Sequence, residues 1–204
     1  MTTSSYRSHD KTPVAPPSRR WRHGRDARAT EPLRCTLNDI VLPHVGREDL
    51  AGRMAEFYAA VDEAVIAHGP VCRNRGDCCK FDQFGHKLYV TAVELAYFVR
   101  GNQSQWHKPN DNHVCPFQIE GRCTAREYRP LGCRIFFCDP DARDWQGPDY
   151  EHRLSEIRRI GSEFGIAYRY VEWLSALEAV SPDILRKNRV DSTGIDATHR
   201  DMID

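Results

Sequence analysis

Thiols set the chemistry of this chain. Seven of the eight cysteines lie between positions 72 and 138, where they can ligate metal, carry out redox chemistry or cross-link. Three stand in Cys72-Arg-Asn-Arg-Gly-Asp-Cys78-Cys79, and four more, Cys115, Cys123, Cys133 and Cys138, in CPFQIEGRCTAREYRPLGCRIFFC. Cys35 is isolated near the N-terminus. The second stretch is too rich in turn residues to be one helix, so its thiols are presented from loops, as a tetrahedral thiolate site requires.

Metal binding is the reading these residues favour. Sulfur is a soft donor that suits zinc, iron and iron–sulfur centres. Seven thiolates on a single zinc would leave a large uncompensated negative charge, so a two-metal site with bridging thiolates, or an iron–sulfur cluster with cysteines to spare, fits better. No CxxC pair of a zinc ribbon and no ferredoxin run is present, so spacing leaves the metal open between zinc and iron. Adjacent Cys78 and Cys79 point in different directions and would serve different metals or opposite sides of a cluster. The bland alternatives are buried inert thiols and disulfides. Clustering in turn-rich loops counts against the first, and the missing apolar core of a secretory signal counts against the second. His86 and His113 are candidate nitrogen ligands, each with a surface or supporting role as its alternative.

At these residues the chain resembles the YkgJ-type cysteine-cluster family, a zinc- or iron-chelating domain whose pattern reads CxxCxxCC, then CPFxxxGxC, then RPxxCRxF. Cys72, Cys78 and Cys79 match the first motif; Cys115, Pro116, Phe117, Gly121 and Cys123 the second; Arg129, Pro130, Cys133, Arg134 and Phe136 the third. The resemblance spans about residues 70–140, a third of the chain. It implies metal chelation through these cysteines, and flagellin lysine-methylating enzymes share a similar pattern. Arg75 stands where the family has its second cysteine, and Ala125-Arg126 where Ile-Tyr is frequent. Cys138 is expected to supply the missing thiolate by folding back toward the first motif. Arg129 and Arg134 are expected to be counter-charges to the thiolate-rich centre, with a surface salt bridge as the alternative for Arg134.

The elements that must hold these loops are helices. Leu50, Met54, Phe57, Val61 and Val65 recur at steps of four and three, predicting a helix over 47–68 that Gly69-Pro70 terminates. KLYVT reads as a short strand, and Thr91 with Glu94 as the capping box of a helix that Gly101 ends. Glu120-Gly121 suits the turn of a tight hairpin, expected to bring Cys115 and Cys123 together across its open side. Leu154, Ile157, Ile160 and Phe164 mark a helix interrupted at Gly165, and Tyr168, Val171, Leu174 and Leu177 another. Ser181-Pro182-Asp183 suits the start of a last short helix.

The predicted fold is therefore mainly α: a small cysteine-rich domain over 40–188, with helices framing irregular metal-binding loops and one short hairpin. A disordered basic leader, 1–34, precedes it and a flexible tail, 189–204, follows. Residues 1–34 carry eight Lys/Arg against three Asp/Glu, which leaves the rest mildly acidic and speaks against nucleic-acid binding. No apolar run is long enough to cross a membrane, and a reducing cytoplasm is the expected compartment. The expected partner is a metal ion. The expected function is metal binding at a structural, sensory or carrier site; the alternative is an iron–sulfur redox enzyme or a protein-modifying enzyme related to the flagellin lysine methylases. No glycine-rich strand-to-helix loop for a nucleotide-like cofactor supports the latter.

Overall fold

The computed structural model describes residues 37–72 and 76–180. The leader, Cys35, Arg75 and the helix expected after Ser181 lie outside the described residues. The architecture is mainly α-helical. In chain order it comprises α1 (Glu48–His68), α2 (Phe81–Phe84), β1 (Tyr89–Thr91), α3 (Ala92–Asn102), β2 (Gln118–Ile119), β3 (Arg122–Cys123), α4 (Leu131–Ile135), α5 (Arg143–Glu163), β4 (Tyr170–Glu172) and α6 (Trp173–Ala179). A helical segment over 37–41 precedes them and is already core: Leu37 and Val41 are buried, and Asn38 Nδ2 donates to the Ala179 carbonyl at 3.2 Å.

α1 forms as its periodicity predicts. Leu50, Met54, Phe57, Tyr58, Val61 and Val65 are buried along one stripe, and Glu48 and Asp49 meet the positive end of the helix dipole. Gly69, at φ 64°, takes the left-handed position that a side chain would strain and so ends the helix. Thr91 caps α3 as expected, with its side chain accepting from Glu94 N and the Glu94 carboxylate accepting from Thr91 N.

Gly101 does not end α3, which runs on to Asn102. Its role is close approach: a Cβ there would lie 2.2 Å from the ring of Tyr128. Gly101→Ala is expected to cost about 1 kcal/mol net, because overpacking against a ring outweighs the better helix propensity. Urea denaturation measures this; a stabilised variant would show that the ring moves aside without cost.

α5 begins at Arg143, eleven residues before the first apolar marker, Leu154, and contains Gly147 and Pro148. The proline is tolerated because it is near the helix start, where the only backbone bond it forgoes is to the Asp144 carbonyl in the first turn. Gly165, at φ 68°, closes the helix as predicted. The helix expected from Tyr168 to Leu177 is a correction. Residues 170–172 are strand β4, paired antiparallel with β1 so that Val171 faces Val90, and only Trp173–Ala179 is helical. A lone strand β1 would leave its backbone groups unpaired. Glu172, held extended, turns its carboxylate onto Leu174 N and Ser175 N and starts α6.

α3 is the central element, buried from Ala92 to Val99. Phe98 is the hub of its aromatic core, edge-to-face with Phe117 at 4.8 Å and Trp173 at 4.7 Å between ring centroids. These three rings also form the floor of the cysteine site.

Candidate metal centre

The cysteine loops are built against one another by backbone contacts. Cys78 and Cys79 lie on a single 3-10 turn, Asp77–Cys79, entered through Gly76 at φ 69°. A Cβ on Gly76 would meet Gln118 Nε2 at 2.5 Å and the Gly121 carbonyl at 3.0 Å, so only glycine lets the first motif press onto the hairpin of the second. Cys115 N donates to the Cys79 carbonyl at 2.8 Å, joining the two motifs directly. The hairpin is the one expected, with Glu120 and Gly121 both at positive φ, as a two-residue turn requires. Its register pairs Cys123 with Gln118, so Cys115 and Cys123 are not cross-strand neighbours. Cys133 sits on α4, a short helix where a loop was expected. The Glu94 carboxylate accepts from Leu131 N at 2.9 Å and so holds the first turn of α4; burial raises its pKa.

All seven cysteines of the two stretches line one cavity of about 1020 Å³, together with Arg122, Arg126, Arg129, Phe98, Phe117 and Trp173. Depth sorts the thiols. Cys79 and Cys115 are buried, Cys123 and Cys133 half-buried, and Cys72, Cys78 and Cys138 exposed. Among the described residues no three His, Cys, Asp or Glu side chains converge tightly enough to hold one metal ion. The sulfurs surround a space rather than meet at a point. The Cys78 and Cys79 sulfurs lie 4.0 Å apart.

Five of the thiols form one electrostatic group. Cys78 is drawn down to about 6, first by its hydrogen bond with Cys79 and further by Arg129 and His86. Cys115 is lowered by a hydrogen bond from Cys79, against its burial, and by Trp173. Cys79 is raised by its bonds to Cys115 and Cys78. Burial pushes up Cys123, and Cys133 still further, with Cys115 and Cys78 adding to both. Of the three hydrogen-bonded thiols, Cys79 is the one pushed toward keeping its proton. Cys72 and Cys138 are not among the leading causes of any of these shifts.

The sign of the pH dependence follows. The thiols pushed above the ordinary 9.0 stabilise the metal-free fold fully below that value, and this is lost as pH rises above it. Cys78 contributes oppositely, above 9.0, and loses its contribution as pH falls through about 6. Raised thiols must also shed protons to ligate, so metal uptake should release protons and weaken in acid. In metal-free protein at neutral pH, Cys78 is expected to alkylate before the raised thiols Cys79, Cys123 and Cys133, since the thiolate is the nucleophile and Cys78 is exposed. Brief iodoacetamide labelling read by peptide mass spectrometry checks the order; Cys133 reacting first would contradict it.

The two arginines part company. Arg129 lines the cavity, and its Nε is buried with no hydrogen-bond partner. Burial, then Arg126 and Arg134, lower its pKa. A buried cationic donor facing thiols suits a negatively charged centre. Arg134 is not among the cavity-lining residues. It is buried in a frame, donating to Asp62 and to the carbonyls of Arg129 and Glu127, with its guanidinium 4.1 Å above the Tyr58 ring. Its pairing is a salt bridge with Asp62, buried at the guanidinium and exposed at the carboxylate, rather than a contact with the cavity.

His86 and His113 also lie outside the cavity lining. His86 Nε2 lies 3.2 Å from the Cys78 carbonyl, and His113 Nε2 lies 3.8 Å from Asp82. Sequence reasoning missed Trp173, whose Nε1 donates to Cys115 Sγ at 3.4 Å across a separation of 58 residues. Cys138 lines the same cavity as Cys72, and the adjoining Asp139 carboxylate accepts from Val71 N at 2.9 Å.

The donor set suits a soft metal centre: thiols, an N–H directed at one sulfur and an arginine whose buried Nε has no hydrogen-bond partner. In comparisons with protein-family models, curated proteins and solved structures, nothing matches this chain.

Proposed function

We propose that this protein chelates a soft metal centre through Cys78, Cys79, Cys115, Cys123 and Cys133, in the manner of the YkgJ-type cysteine-cluster proteins that its motifs resemble. One observation carries the reading: thiols from three separate motifs line a single cavity beside Arg129. A centre of several metal atoms, an iron–sulfur cluster before a lone zinc, suits sulfurs spread around a space better than converged on a point. When bound, such a cluster supplies a delocalised negative charge and one-electron chemistry. The chain's own part is to present the thiolates, donate the Trp173 N–H to sulfur, set Arg129 against the charge and shield the inner face with Phe98 and Phe117.

Anaerobic purification followed by elemental analysis and absorbance tests this. Stoichiometric iron with a brown absorbance supports the cluster, stoichiometric zinc without colour supports the plainer centre, and protein devoid of both refutes chelation. A redox enzyme is the second reading, favoured by the volume of about 1020 Å³, at the upper end of small-molecule pockets. Reversible bleaching by dithionite would support it, and a centre inert to reduction would exclude it.

A further inference from the structure

Cys72 and Cys138 lie outside the proposed five-thiol centre. Both line the same cavity yet are exposed, so they stand at its mouth. They come from opposite ends of the cysteine region, and the tertiary structure ties those ends together. Val71 N donates to the Asp139 carboxylate at 2.9 Å, and each cysteine is the next residue along from one partner of that bond. That bond, together with the shared cavity lining, brings the two chain segments that carry the cysteines to one place. The backbone permits the approach because α4 ends at Ile135, and Phe136 leaves it extended at φ −85° and ψ 115°. Val71 and Phe136, exposed at 61% and 44%, line the same cavity.

We propose that Cys72 and Cys138 are a redox latch: a low-molecular-weight disulfide of the glutathione type oxidises them to a cross-link that closes the mouth over the metal centre. This rests on the reading that the other five thiols hold that centre. One rim thiolate attacks a sulfur of the small disulfide, forming a mixed disulfide and expelling one small thiolate. The second rim thiolate then attacks the protein sulfur of that bond and expels the other. Two electrons pass from the protein thiols to the reagent, and their two protons go to the two released thiolates. The bond joins both ends of the segment that walls the cavity, so it restricts the opening through which metal would leave. Excess small thiol reverses it.

The test uses the full-length protein, purified anaerobically with its metal and exposed to glutathione disulfide. Peptide mass spectrometry is expected to find a Cys72–Cys138 cross-link as the main product, with the metal content unchanged. Metal loss to a chelator should slow severalfold and recover on reduction. Cys72→Ser and Cys138→Ser should each abolish the oxidant's effect on release. Asp139→Ala, which keeps both thiols, should cross-link severalfold more slowly. Separate glutathione adducts on the two cysteines, cross-links running to Cys78 or Cys79, or rim thiols that react only after metal removal would each overturn the latch. Should the protein carry no metal, the chelation reading fails, while the cross-link still decides whether the rim pair exists.

Discussion

Cys133→Ser is expected to lower metal affinity by more than about 100-fold, since changes to groups that merely support a ligand already cost 10–100-fold. Serine keeps the shape but offers a hard oxygen that holds its proton. The position matters because Cys133 is carried on α4 beneath the cavity, where burial, Cys115 and Cys123 keep its proton on in the absence of metal. Only a cation placed among the thiols can reverse that preference. Cys72→Ser, at the mouth, should cost much less. Elemental analysis after dialysis, with chelator competition for the residual fraction, gives both numbers. Full metal retention in Cys133→Ser would move the centre outward, to the exposed thiols. The metal-free variant should unfold at nearly the urea concentration of the metal-free parent, separating a lost ligand from a lost fold.

Arg134→Met should destabilise the protein by about 2–5 kcal/mol, because two carbonyls lose their buried donor at about 1–3 kcal/mol each, while the exposed Asp62 adds little. Against a total of about 5–15 kcal/mol for a domain, this brings the variant close to unfolding. Methionine preserves the length of the side chain and its packing on Tyr58 but has no donors. The carbonyls of Arg129 and Glu127 then lose their guanidinium, and Asp62 its partner. Arg134→Lys should rescue little, because one ammonium cannot reproduce a planar fork that reaches three acceptors. Urea denaturation of both variants measures this; a loss under about 1 kcal/mol would mean the pair is worth no more than a surface salt bridge. Metal affinity should fall in parallel, since the segment that Arg134 holds also carries Arg129 and Cys133.

The two residues illustrate how far reading the chain could go. Arg129 and Arg134 are both arginines of one short motif, both readable as counter-charges, with a surface salt bridge as the alternative for Arg134. They differ because Arg134 sits on α4 facing α1, where Asp62 waits, whereas Arg129 precedes the helix and faces the thiols. Nothing local distinguishes them. Gly101 likewise looked like a helix stop until Tyr128 showed why no side chain fits there.

What the amino-acid order determined by itself was everything governed by neighbours a few residues apart. The α1 stripe and its Gly69 stop, the Thr91–Glu94 capping box, the Glu120-Gly121 turn and the closing of α5 at Gly165 arise from side chains and backbone within one or two turns of each other. The choice of thiols as the chemistry was equally legible, because residue type dictates it. Tertiary structure alone decided that residues 170–172 pair with β1, that Trp173 reaches Cys115, that Asp139 ties Cys138 to the first motif, and that five thiols couple while two remain at the rim. Each of these joins segments dozens of residues apart, and sequence spacing carries no distance once the chain has folded back. Only the packing of the helices around Phe98 sets those distances, and with them the shape of the cavity.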